Sequence, residues 1–218
     1  MREDMIFDTD IYQIRKDLLD RMLEIIHDQR KANVLFYGDS ITRYMDLKRY
    51  FSFDAVNCGI VGITSKMLLH FVDEGVIKYQ PEKVFLMVGT NDMGNTVMAS
   101  PRQIAMNVKE LIEIIHQNLP ETQIYLISCI PCVEKIHGYQ SKKEGLRSND
   151  TLKMVFQEYR RVIPYCYVTF IDVFTCLLDE NGNSMEDCFV DGLHLNDKGY
   201  EKYTNAIKEE LIERGEDV

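Results

Sequence analysis

The stretch "VLFYGDS", residues 34–40, joins four apolar residues to a glycine, a carboxylate and a serine hydroxyl. A short apolar run without alternation reads as a strand buried on both faces, as in a parallel sheet. Its abrupt polar end has two readings. Gly, Asp and Ser all favour turns, and a serine at the carboxyl edge of a sheet is also where a nucleophile is presented. The rest of the chain decides between them.

Outward from this stretch, the periodicity switches repeatedly between strand and helix. Upstream, Ile11, Ile14, Leu18, Met22 and Ile25 recur at helical spacing, with Asp8 or Asp10 as the cap. Downstream, a helix is expected from about Ile41 to Tyr50 and a brief strand around Ala55 to Asn57. A helix capped by Thr64 or Ser65 follows, carrying Met67, Leu68, Phe71 and Val72. "KVFLMVG" (83–89) is a second doubly buried strand, and Ser100-Pro101 opens a helix with the stripe Ile104, Val108, Leu111 and Ile115. "QIYLISC", an irregular stretch from Ile130 to about Ser148, a helix from about Asn149 to Ile163, the strand "YVTFID" and a helix from Asn196 to Arg214 complete the chain.

Strands alternating with helices imply right-handed crossovers and a parallel sheet covered on both faces. The expectation is an α/β fold: a three-layer α/β/α, flavodoxin-like arrangement with a five-stranded parallel sheet in the order 2-1-3-4-5. Residues 1–218 are read as a single domain, with 1–31 a helical extension packed on it. In such folds ligands lie outside the carboxyl ends of the strands, so each strand-terminal loop is a potential wall of the site.

Composition narrows the function. With 45% hydrophobic and 28% charged residues the chain has ordinary globular character, and its formal charge of -10 argues against a nucleic-acid partner. The densest basic stretch, "QSKKEGLR" (140–147), is short, contains a glutamate, and reads as a solvated loop. No stretch approaches the ~20 apolar residues of a membrane span, and "MREDMIFDTD" is no signal peptide. The six cysteines are scattered and read as free thiols, which favours a cytoplasmic location. Cys129 and Cys132 form a C-x-x-C, but it follows a strand and runs into a loop rather than opening a helix. No second pair completes a zinc site. "GIVG" lacks dinucleotide and Walker spacing. Neither a cofactor nor a metal is expected.

Four strand-end loops carry the chemistry: "GDS", "VNCGIVGITS" (56–65), "VGTNDMG" (88–94) and "VDGLHLND" (190–197). Together they hold a hydroxyl, glycine amides, an amide side chain, and a carboxylate three residues before an imidazole. Acyl transfer needs that inventory: a nucleophile, a base held in one tautomer, and donors for an oxyanion. In isolation, the serine would be a turn hydroxyl, Asn91 a turn residue and His194 a surface histidine. Four blocks in order favour the chemical reading.

The blocks "GDS", "N-x-G-I-x-G", "GTND" and "D-x-x-H" make the chain resemble the SGNH (GDSL-like) hydrolase superfamily, nearest in pattern to its platelet-activating-factor acetylhydrolase-like and carbohydrate-esterase branch. The resemblance implies that Ser40 is the nucleophile, His194 the general base and Asp191 its orienting carboxylate. It makes the Ser40 amide, the Gly62 amide and the Asn91 side chain the oxyanion donors. Gly59 is assigned to tight backbone geometry, and Asp39 and Asp92 to structure. Ile63 departs from the polar residue common in relatives, which suggests an apolar pocket beside the oxyanion hole. His137 is a candidate for substrate contact, while His27, His70 and His116 are assigned none. Met67, Met87, Met93, Met98 and Met106 are assigned to packing.

The function expected is a serine esterase acting on short-chain, acetyl-type esters of a sugar or other small polar alcohol. A lysophospholipid or thioester acyl hydrolase, a catalytically silent binding relative and a redox protein are the alternatives. The expected partner is a small-molecule ester, with a homodimer allowed.

Overall fold

A computed structural model describes residues 9–94, 98–138 and 147–216. Its sheet has five parallel strands in the order β2-β1-β3-β4-β5, as the sequence predicts: β1 Val34–Gly38, β2 Ala55–Gly59, β3 Lys83–Met87, β4 Gln123–Ile127 and β5 Val168–Ile171. Every residue of β1 is buried, which explains why its sequence does not alternate.

Alternate residues nevertheless serve different layers, because successive side chains of a strand point to opposite faces. Leu35, Tyr37, Val84, Leu86, Ile124 and Leu126 pack in one core. It is closed by α1 (Thr9–His27), α4 (Ser65–His70), α5 (Val72–Gly75), α6 (Pro101–Asn118) and α8 (Asn149–Val162). Val34, Phe36, Phe85, Met87, Tyr125 and Ile127 face the other, under α2 (Ser40–Tyr44), α3 (Leu47–Tyr50) and α9 (Asp197–Glu213). In that second core Phe36, Phe85 and Tyr125 lie in register on adjacent strands, and their rings stack with centroids 4.5 and 4.6 Å apart. Such cross-strand aromatic pairs fix register as well as burying area.

The expected caps form. Thr64 accepts from the Met67 amide, and Ser100 and Gln103 make a capping box with Pro101 in the first turn. In α1, Leu18 and Ile25 are buried against the sheet, and Arg21 donates to the carbonyls of Asn57 and Gly59 at 2.6 and 3.2 Å. Asp8 and the Ile11 and Ile14 side chains lie outside the description. The short α7 (Glu134–His137) falls inside the stretch read as irregular.

One expected helix, 41–50, is two. The Asn57 side chain on β2 donates to the carbonyls of Thr42 and Met45 at 2.7 and 3.2 Å, capping α2, and Met45 turns extended before α3 begins. Among the methionines, Met87 and Met93 are core residues, but Met67, Met98 and Met106 are exposed rather than packed.

All six cysteines are free. Cys166, just before β5 at the amino edge of the sheet, is exposed, while Cys58, Cys129, Cys132 and Cys188 are buried. Among the described residues no helix is long and apolar enough to cross a membrane.

Candidate active site

The two readings of "GDS" are both realised. Gly38 lies where a Cβ would meet the Met87 carbonyl oxygen at 2.3 Å and Thr42 Oγ1 at 2.5 Å, so only glycine fits. Asp39 caps α2, its Oδ1 accepting the Ile41 amide at 2.9 Å, which makes it the structural residue that the sequence suggested. Ser40 is then the first residue of α2, 4% exposed, at the carboxyl end of the central strand β1.

His194 arrives from the loop before α9. That loop is pinned by Val190 donating to the His194 carbonyl at 2.8 Å and by Val133 donating to the Gly192 carbonyl at 2.8 Å. Gly192 has φ +88°, and a Cβ there would also press Ile136 at 3.1 Å, so the tight D-x-x-H turn depends on it. Asp191 Oδ1 accepts the Leu193 and His194 amides at 2.9 and 2.8 Å, and its Oδ2 lies 2.7 Å from His194 Nδ1. Partial burial pushes the Asp191 carboxyl up, but the bonds from His194 and Leu193 outweigh it and bring the carboxyl down to about 2. An ionised carboxylate can only accept, so Nδ1 carries the proton and the Nε2 lone pair faces Ser40 Oγ, 3.0 Å away. The structure thus brings together Ser40, His194 and Asp191 from opposite ends of the chain.

The three residues expected around an oxyanion stand in the turns that follow the adjacent strands β1, β2 and β3. Gly62 holds φ +74° in the turn after β2, and Asn91 opens the single turn after β3. Asn91 Nδ2 donates to the Ile63 carbonyl at 3.0 Å, which fixes the amide and ties the turn after β3 to the turn after β2. Among the described residues neither the Ser40 nor the Gly62 amide donates within the protein. Gly59 fulfils its expected role, since a Cβ would lie 2.2 Å from the Arg43 backbone nitrogen.

Asp92 stitches the two donor loops together. Its buried carboxylate accepts the Ser65 amide at 2.9 and 3.1 Å and the Ser65 hydroxyl at 2.5 Å, and Asn107 donates to that hydroxyl at 2.9 Å. Burial pushes the Asp92 carboxyl up, opposed by those Ser65 bonds.

Other expectations are corrected. Ile63 is fully buried in the core between sheet and helices, so it does not make the cleft beside the donors apolar. The "QSKKEGLR" loop does not end in solvent: Arg147 is half-buried and donates through Nε and Nη2 to the Thr90 carbonyl at 3.2 and 3.1 Å. Burial pulls its pKa down. Residues 139–146 lie outside the description. No local pattern marks Arg147, although its position just before the Ser148 helix cap is a weak signal. Tyr44 was also missed. Its ring meets that of His194 edge-on at 5.4 Å, and its place one helical turn after Ser40 was the available clue. His137 lies on α7, partly buried.

The C-x-x-C thiols are not poised for redox chemistry. Cys129 donates to the Val88 carbonyl, and burial pushes Cys129 up strongly and Cys132 up to about 11. Among the described residues no group of three or more His, Cys, Asp or Glu side chains is placed to hold a metal ion.

The model of the GDSL-like lipase/acylhydrolase family matches residues 36–202. A Streptococcus pneumonia structure named for platelet activating factor is 29% identical, with 94% of this chain and 100% of that chain covered and a TM-score of 0.82. A GDSL-like lipase from Bacteroides thetaiotaomicron shares the fold at 20% identity, 92% and 98% coverage and TM-score 0.68. A carbohydrate esterase family 3 structure from Talaromyces cellulolyticus does so at 18%, 83% and 96%, and 0.62. No curated protein matches.

Proposed function

The chain belongs to the GDSL-like lipase/acylhydrolase family of carboxylic ester hydrolases, and from that premise we propose that it cleaves short-chain, acetyl-type esters through an acyl-enzyme on Ser40. The observation that carries this reading is the hydrogen-bonded line Asp191–His194–Ser40, with 2.7 and 3.0 Å between successive polar atoms. The ester carbonyl oxygen turns toward the Ser40 and Gly62 amides and the Asn91 side chain. Ser40 Oγ attacks the carbonyl carbon as His194 Nε2 takes its proton, and Asp191 holds the imidazolium. The alcohol leaves with that proton. Water then adds to the acyl carbon, again giving a proton to Nε2, and the acid departs as Ser40 recovers its hydrogen.

Two observations bear on the acyl group and the alcohol. The strand ends around the serine are closely packed, since a Cβ on Gly89 would lie 2.9 Å from Cys129 Sγ and one on Gly38 would strike the Met87 carbonyl. Close packing there favours a short acyl group. Among the structural neighbours, one is named a carbohydrate esterase and one for platelet activating factor.

A fluorophosphonate probe should label the wild type and fail to label Ser40→Ala, with turnover of p-nitrophenyl acetate abolished in the variant. An unlabelled wild type would leave a silent binding relative as the better reading. Acetate should exceed octanoate in kcat/KM by tenfold or more, and the reverse preference would move the assignment to a lysophospholipid or thioester acyl hydrolase.

A further inference from the structure

A groove of about 680 Å³ opens beside the His194 ring, between the loop 190–198 and the α2–α3 segment. Its size suits a small ligand. Acid–base chemistry says which part of an ester belongs there. His194 Nε2 receives the Ser40 proton and must return it to the alkoxy oxygen of the departing alcohol, so that oxygen has to lie within hydrogen-bond reach of Nε2. The carbonyl oxygen goes to the donors at Gly62 and Asn91, neither of which lines this groove. The alcohol is therefore confined to the space around the imidazole, and this groove adjoins it.

The walls of the groove have a definite character. Tyr44 shares a face of α2 with Ser40, four residues earlier, and its ring stands edge-on to that of His194 at 5.4 Å while remaining 55% exposed. Beside it Val190 is 73% exposed. An open aromatic ring and an open aliphatic side chain thus line the same groove as the His194 ring.

The charges around the groove are largely spent on one another. Arg49 pairs with Asp197 at 2.7 Å, Lys198 pairs with Asp187, and Asp191 is taken by His194. Among the described residues Asp46 is the one carboxylate of the groove without an ion pair. Recognition of a cationic alcohol would call for several open aromatic faces around the charge, whereas Tyr200 is buried at 5% and Tyr50 half-covered. A single open ring, an aliphatic neighbour and the Asp46 carboxylate at the rim match a neutral ring. Its C–H face would lie on the tyrosine, with its hydroxyls at the rim.

We propose that this groove is the leaving-alcohol site, that it takes a neutral pyranose-type ring, and that Tyr44 is the residue that selects it. The proposal rests on the esterase reading of Ser40 and His194, and it adds which side of the catalytic serine the sugar occupies.

The test holds the acyl group constant and varies the alcohol. Wild type, Tyr44→Ala and Tyr44→Phe are assayed on a mono-acetylated methyl glucoside, on ethyl acetate and on acetylcholine. In the wild type kcat/KM should be highest for the glucoside. In Tyr44→Ala the ratio of glucoside to ethyl acetate should fall tenfold or more, and Tyr44→Phe should restore it, because the ring face and not the hydroxyl makes the contact. Val190→Trp, which fills the groove at an exposed position, should lower the same ratio and serves if Tyr44→Ala folds poorly. Equal losses on both esters would reduce Tyr44 to a structural role and overturn the proposal, as would an unchanged ratio in both variants. Acetylcholine as the best substrate, lost with Tyr44, would overturn the sugar class. Turnover persisting in Ser40→Ala would instead sink the esterase reading beneath it.

Discussion

Asp39 is the most constrained charge near the serine. One of its oxygens caps α2, while the other, Oδ2, is buried without a hydrogen-bond partner among the described residues. Burial pushes the carboxyl up to about 7, opposed by the Ile41 amide and the His194 charge. An unfolded aspartate titrates near ~3.9. Between about pH 4 and pH 7 the folded protein therefore holds a proton that the unfolded chain has released, so stability falls as pH rises through that window. The ceiling on this effect is about 4 kcal/mol, at roughly 1.4 kcal/mol per pKa unit. Asp191 acts with the opposite sign, since its carboxyl is depressed to about 2 and its contribution is lost only as pH falls below about 4. Asp39→Asn keeps the cap and removes the titration. Its urea midpoint should change less between pH 5 and pH 8 than that of the wild type, and identical slopes would show that the buried charge is relieved by other means. Asn91 gives a second residue-level prediction. Losing one oxyanion donor costs roughly 3 kcal/mol, a hundredfold or more in kcat, so Asn91→Ala should show that loss with KM little moved. A loss confined to KM would remove Asn91 from the transition state. The motif residues were legible because each block is local: a short run fixes both the turn and the side chain it presents. Arg147, Tyr44 and the inward turn of Ile63 were not, because each is decided by neighbours far away in sequence.

Among the elements, the junction of β2 and α2 is the tightest. Gly59 touches the backbone of Arg43, and Asn57 caps the helix that begins with Ser40. Gly59→Ala forces backbone against backbone, so it should destabilise by roughly 3 kcal/mol, read from urea unfolding, near the upper end of overpacking costs. A neutral effect would mean that the α2–β2 contact yields readily. The strands were easy to read, since a doubly covered parallel sheet needs unbroken apolar runs and leaves that need visible in the sequence. The break between α2 and α3 was hidden. Helical periodicity continues across Met45–Asp46, and what stops the helix is an amide supplied by a neighbouring strand.

For the molecule as a whole, the serine and its histidine are 154 positions apart, held by a sheet and by α9, whose Tyr200 hydroxyl donates to the Ile41 carbonyl at 2.8 Å. The catalytic line exists only while that scaffold does. Esterase activity and far-ultraviolet circular dichroism should therefore be lost at the same urea concentration, in one cooperative transition. Activity vanishing well before the helices would mean that the loop carrying His194 melts independently. Topology was legible at this scale because alternating strands and helices admit few right-handed parallel solutions. The pairing of charges around the groove was not, since Arg49 and Asp197 meet only in the folded chain.

Cys166 lies at the amino edge of the sheet, opposite the end that carries Ser40, and it is the one exposed cysteine of the six. A maleimide-coated bead or electrode should therefore capture the enzyme through a single defined point. Each immobilised molecule would then stand with its mouth toward the flowing liquid, ready to meet ester, rather than pressed against the support.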